Sequence, residues 1–127
     1  MAAGDPVRFV PPGERTTQPS GGGMVREEAV VTPGMWAGVA HTVPGADSGW
    51  HHHGSYESSI YVVSGQVRME SGPGGACVLE AGPGDFLYVP PGAIHRELNP
   101  GDAESQLVVV RAGSGPPVID VDGPAPA

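Results

Sequence analysis

From residue 25 onward, apolar and polar positions fall into short runs that are broken at regular intervals. The runs are Val25–Val31, Trp36–Val43, Ser59–Val63, Gln66–Glu70, Ala76–Glu80, Phe86–Val89, His95–Leu98 and Leu107–Ala112. Between them stand Pro33-Gly34, Pro44-Gly45, Ser64-Gly65, Gly72-Pro73-Gly74, Pro83-Gly84, Pro91-Gly92 and Pro100-Gly101. Glycine opens the left-handed region of backbone space and proline fixes φ, so each pair reads as a turn. The runs are rich in β-branched residues and recur about every 8–12 residues, which predicts an all-β sandwich or barrel. No stretch sustains an apolar period of 3.6, so little or no helix is expected.

The 127 residues suit one domain. Glycine and proline together number 36 and are unevenly spread: residues 1–23 hold nine, residues 113–127 hold seven, and the remaining 20 lie in the 89 residues between. The pattern predicts a flexible N-terminal segment over 1–23, a barrel over 24–112 and a Gly/Pro-rich tail over 113–127. Within that tail, Val118 to Val121 could add an edge strand.

The net charge is −8 and all six basic residues are arginine. An acidic chain without a basic stripe is a poor partner for nucleic acid or an anionic membrane. Without lysine there is no Schiff-base chemistry. With Cys77 alone there is no intrachain disulfide and no cysteine-held iron–sulfur cluster. The first 23 residues carry no apolar core of a signal peptide and no apolar run approaches 18 residues, so a cytoplasmic location is the expectation.

Four of the five histidines stand in two places, His51-His52-His53 and His95. In a strand, alternate side chains share a face, so His51 and His53 point one way while Trp50 and His52 point the other. Two imidazoles on one face can grip one metal ion, and His95 is the natural third donor from a neighbouring strand. Imidazole-rich sites suit iron, zinc, copper and nickel, whereas oxygen-rich ones suit manganese and magnesium.

The surroundings of these histidines carry a resemblance. Gly45, five residues, His51-x-His53, three residues, Glu57 and later Gly65 resemble the first cupin motif. Gly84, five residues, Pro90-Pro91-Gly92, two residues, His95, three residues and Asn99 resemble the second. The likeness to the cupin superfamily implies a double-stranded β-helix, or jelly roll. It also implies one divalent metal held by His51, His53 and His95, with Glu57 as a possible fourth ligand. Seven residues separate Glu57 from Gly65 where the motif has six, so counting back from Gly65 puts Ser58 in the ligand slot. A slip of one residue in a strand reverses the face, so Glu57 ligates only if the backbone bulges before the strand.

Within cupins, three neutral histidines around iron(II) resemble the small-molecule dioxygenases, thiol dioxygenases included. The expectation is therefore a non-haem iron dioxygenase that oxidises a small, perhaps thiol-containing, metabolite with O2; manganese, nickel, zinc or copper are the alternative metals for this site. The alternatives are a metal-dependent isomerase, epimerase or cyclase, and a non-catalytic small-molecule binder. No catalytic residue beyond the metal site and no organic cofactor is indicated. By analogy with small cupins, a homodimer is expected. His41 and His52 read as surface or structural residues, and Cys77 as a buried apolar one. Tyr61, Tyr88, Trp36, Trp50 and Met35 read as core or rim, and one or two of them could line a pocket. Arg26, Arg68, Arg96 and Arg111 read as solvated groups, one of which an anionic substrate would need as a clamp.

Overall fold

The computed structural model describes residues 4–19, 21–116 and 118–126. Eleven strands are present among them: β1 (Thr16–Pro19), β2 (Met24–Thr32), β3 (Met35–Thr42), β4 (His51–His52), β5 (Glu57–Ser64), β6 (Val67–Ser71), β7 (Cys77–Ala81), β8 (Phe86–Val89), β9 (His95–Leu98), β10 (Ser105–Ala112) and β11 (Ile119–Asp120). The only helical elements among the described residues are two three-residue 3-10 turns, Pro12–Glu14 and Pro73–Gly75. Among the described residues, no helix is long and apolar enough to cross a membrane.

The strands form two antiparallel sheets, β1-β2-β3-β10-β5-β8 and β11-β4-β9-β6-β7. This is the jelly roll that the turn spacing predicts. Every run read from the sequence becomes a strand, with ends that differ by at most two residues. Two strands lie outside the 24–112 segment: Thr16–Pro19 pairs with Val25–Glu28 at one sheet edge, and Ile119–Asp120 pairs with His51–His52 at the other. The second falls within the Val118 to Val121 stretch read as a possible edge strand; proline-rich flanks and short length hide the first, because an edge strand needs few apolar positions.

Alternation along the strands builds the core. In β5, Ser58, Ile60 and Val62 turn inward; in β10, Ser105, Leu107, Val109 and Arg111 do. Ile60, Val62, Val67, Met69, Leu87, Val89, Leu107 and Val109 pack between the sheets, with Trp36 and Ala93 against them. The β5–β6 turn shows why glycine is required there. Gly65 has φ of 80°, and a Cβ on it would lie 2.7 Å from Ser105 Cα. Fully buried Ser105 then locks that turn, donating to Gln66 O at 2.6 Å and accepting from Gln66 N–H at 3.1 Å. Asn99, the last residue of the second motif, holds the adjoining loop. Its Nδ2 donates to Thr42 O and Ala103 O, both at 2.9 Å, and its Oδ1 accepts from Gly101 N–H at 3.0 Å.

Cys77 departs from the sequence expectation. It is exposed at the start of β7, the edge strand of its sheet, where a side chain has no facing layer to bury it.

Candidate metal centre

Strand register brings the histidines together. His51 on β4 is the cross-strand partner of His95 on β9. Their ring centroids are 4.3 Å apart, and the His53 ring is 4.8 Å from that of His51 and 5.0 Å from that of His95. All three are buried, and one ring nitrogen from each lies within 4.8 Å of the others. β4 is only two residues long, yet the alternation argued from the sequence holds: His51 and His53 face the barrel interior and half-buried His52 faces away.

Hydrogen bonds set the tautomers. His51 Nδ1 lies 3.0 Å from Gly49 O, and His95 Nδ1 lies 2.9 Å from Ala93 O. A carbonyl oxygen can only accept, so each Nδ1 carries the proton and each Nε2 keeps a lone pair, the form a metal requires. Burial pushes the same way. It lowers the pKa of His51 and drops that of His95 to about 4, so both are neutral near pH 7. The donor set therefore fits one divalent ion of borderline softness.

Glu57 is not part of this cluster. It is exposed on the outer face of β5, where its Oε1 accepts from Tyr88 Oη–H at 3.3 Å. Ser58 takes the inward position. No bulge falls between Glu57 and Ile60: their pairings with β10 run in unbroken register, from Ala112↔Glu57 to Val109↔Ile60. The extra residue is absorbed at the far end of β5, where the register shifts between Gln106 and Leu107.

The cavity at the centre measures about 20 Å³ and is lined by the three histidines, Ser58, Arg26, Glu97 and Arg111, with Ile60, Met69, Val89 and Val109 among its apolar walls. This space takes an ion, a water or the small polar end of a substrate, and not a whole organic molecule. A neighbouring recess of about 210 Å³ shares Met24, Arg26 and His51 and is completed by Ser48, Val118 and Asp120. The C-terminal strand thus walls the approach to the centre.

Two arginines and one carboxylate face the imidazoles. Burial lowers the Arg111 pKa to about 10, with Arg26 adding repulsion and Glu97 opposing it. Burial raises the pKa of Glu97, while Arg26 and Arg111 pull it down. The inward phase of the strands makes these residues readable in hindsight. Glu97 follows His95 by two positions, and Arg111 follows Leu107 and Val109 at steps of two. A charged residue in the inward register of its strand is the signal, and Glu97 is the one the sequence reading omits.

The other candidates lie elsewhere. His41 sits on the outer face of β3 between Glu27 Oε1 at 2.5 Å and Glu104 Oε1 at 3.2 Å. Arg68 and Arg96 both bind Glu70, and Arg96 stacks over Trp50 with its guanidinium carbon 4.9 Å from the ring. Trp36 packs on the core beneath Arg111. Tyr61, Tyr88 and Met35 are exposed and none of the five aromatic or methionine candidates lines the histidine cavity.

Comparison with known proteins agrees with this architecture. Residues 38–111 match the family described as the cupin domain. A conserved protein with a double-stranded β-helix domain from Klebsiella pneumoniae superposes with a TM-score of 0.68 at 25% identity, covering 80% of this chain and 87% of its own. The polyketide cyclase RemF from Streptomyces resistomycificus gives 0.75 at 20% identity, covering 91% and 85%. Oxalate decarboxylase from Bacillus subtilis, with Mn(II) centres, gives 0.68 at 22% identity, covering 78% of this chain and 28% of its own. No curated protein matches the sequence.

Proposed function

The chain belongs to the cupin family, and from that premise we propose that it is a metal-dependent enzyme, a non-haem iron(II) dioxygenase that oxidises a small metabolite at His51, His53 and His95. The observation that carries the reading is the all-imidazole donor set. Three buried rings converge, two of them fixed by backbone carbonyls in the ligating tautomer, while Glu57 is turned out of the barrel. When bound, iron(II) supplies a Lewis-acidic, redox-active centre with positions left open for a substrate heteroatom and dioxygen.

The protein's own groups do the rest. His51 and His95 are held neutral and oriented by Gly49 and Ala93. Ile60, Met69, Val89 and Val109 keep the interior apolar and limit water. The recess bounded by Ser48, Val118 and Asp120 is below the size of a drug-sized pocket and suits a small metabolite. Arg26 and Arg111 against the single carboxylate of Glu97 bias the interior toward an anionic group, which a centre of three neutral ligands also favours.

Metal analysis of the purified protein, followed by oxygen-electrode screening of small acids and thiols, tests the reading. Iron together with substrate-dependent O2 uptake is the expected result. Metal-dependent turnover without O2 would replace it with an isomerase, epimerase or cyclase, the class to which the RemF likeness would then lend weight. Saturable binding without turnover would replace it with a binding protein.

A further inference from the structure

Two buried polar atoms in the barrel have no hydrogen-bond partner among the described residues, Ser58 Oγ and Arg111 Nε. They belong to cross-strand partners: Ser58 on β5 is opposite Arg111 on β10. Both residues are buried, at 3% and 6% exposure, and both line the cavity of the three histidines. Elsewhere along the paired inward faces, β5 and β10 oppose apolar side chains, Ile60 to Val109 and Val62 to Leu107. At this one level they oppose a hydroxyl and a guanidinium, next to imidazoles.

Burying donors without acceptors costs free energy, so a folded chain retains such a pair where something else accepts from them. The local charge says what. Two guanidinium groups, Arg26 and Arg111, line this cavity with one acidic side chain, Glu97, and donors of this kind beside an orphaned hydroxyl favour an acceptor-only, anionic group. Side chains directly opposite on antiparallel strands have Cβ atoms about 4.5–5.5 Å apart, a span that one planar carboxylate can bridge with its two oxygens. A guanidinium fork matches that geometry. A phosphate needs more donors and more room than this level of the barrel offers.

We propose that Ser58 and Arg111 form an anion-binding subsite for a carboxylate on the substrate, set beside the three-histidine centre. Ser58 Oγ–H and Arg111 Nε–H donate to the carboxylate oxygens, and the remainder of the substrate occupies the recess toward Ser48 and Asp120. The placement beside a reacting centre rests on the functional reading above; the binding of the anion does not.

Formate titrated into metal-free protein and into zinc-loaded protein tests this, read by the Arg Nε–H resonances in 15N–1H NMR. The Arg111 resonance, identified by its absence in Arg111→Lys, should shift saturably in both forms. Ser58→Ala should weaken formate at least tenfold, while Glu57→Gln on the outer face should leave it unchanged. Saturable formate binding in a protein that takes up no zinc would uphold the subsite while removing the metal reading. A folded protein that takes up zinc but shows no saturable shift would overturn the subsite and leave the metal reading standing. Equal affinity in Ser58→Ala, or tighter binding of inorganic phosphate than of formate, would also overturn it. Should Arg111→Lys not fold, the Ser58→Ala comparison and the number of shifted resonances decide the question alone.

Discussion

His51 and His95 face each other in direct register across β4 and β9, with ring centroids 4.3 Å apart and each Nδ1 bonded to a backbone carbonyl two residues earlier. The centre is thus held by main chain on both sides, and His53 completes it from the end of a two-residue strand. His52 lies between these ligands in sequence but takes no part. Its Nδ1 accepts from Gly54 N–H at 3.0 Å and shapes the turn that follows.

The first prediction follows from that division. His51→Ala, His53→Ala and His95→Ala should each reduce metal occupancy at least tenfold after loading with iron(II) or zinc, while His52→Ala should keep it near stoichiometric. Elemental analysis of the dialysed variants reads the outcome. Equal loss in all four would mean that the alternation does not divide the run.

Glu57 gives the second. Its carboxylate is on the outer face with Tyr88, and the register through β5 is unbroken at that end. Glu57→Gln should retain full metal occupancy and cost little stability, since the exposed Tyr88 contact contributes at most about 1 kcal/mol. Metal loss as complete as in His51→Ala would show that a carboxylate ligates, and the balance would shift toward a manganese or nickel centre.

These two cases show what is legible in the chain. Strand existence is plain because Pro-Gly pairs bracket each apolar run, and the three histidines are plain because period two places them on one face. The slip between Glu57 and Ser58 is visible as a conflict of counts, but only pairing with β10 resolves it, because that register depends on residues about 50 positions away. Edge strand β1 escapes because backbone pairing, not an apolar face, holds it, while β11 falls where Val118 to Val121 offered an edge strand. Glu97 escapes because a charge next to Arg96 in a four-residue strand reads as surface until the interior is known to be polar at that level.

A third prediction concerns acid. Glu70 is gripped by Arg68 Nε at 2.8 Å and Arg96 Nη2 at 2.6 Å, and these two guanidinium groups hold its carboxyl below the usual carboxylate range. Because the folded state has the lower pKa, the unfolded chain takes up the proton first as pH falls. The stabilisation is therefore fully present above the ordinary value near 4.5 and is lost as pH falls through the depressed one. Glu70→Gln should melt below the parent at pH 7, and the gap should narrow from pH 5 downward. Thermal melts from pH 7 to pH 3 check this, and a gap constant across that range would count against the pairing.

The last prediction concerns the outer face of the six-stranded sheet. Tyr61, Val63, Phe86, Tyr88, Val108 and Val110 all lie there, from 37% to 71% exposed, and Tyr61 and Phe86 stack at 4.9 Å. Scaled to ordinary side-chain areas, the six expose roughly 500 Å² of apolar surface. That is near the upper end of the largest patch on a typical monomer, about 300–600 Å². It also supplies more than half of the ~800 Å² that each partner contributes to a stable interface. The patch spans β8, β5 and β10, neighbours in one sheet, and faces away from the histidine cavity, so covering it leaves the approach past Val118 and Asp120 open. A second copy of the chain is the occupant that fits, because an isologous pairing sets apolar against apolar on both sides and keeps the acidic remainder of each molecule in solvent. Light scattering at micromolar concentration should give the dimer mass. Phe86→Asp, which buries a charge in the interface and nothing in the core, should shift the mass to monomer while leaving the far-ultraviolet circular dichroism and the metal occupancy intact. A monomer mass for the unaltered chain at 100 times that concentration would sink the pairing, as would a Phe86→Asp variant that remains dimeric.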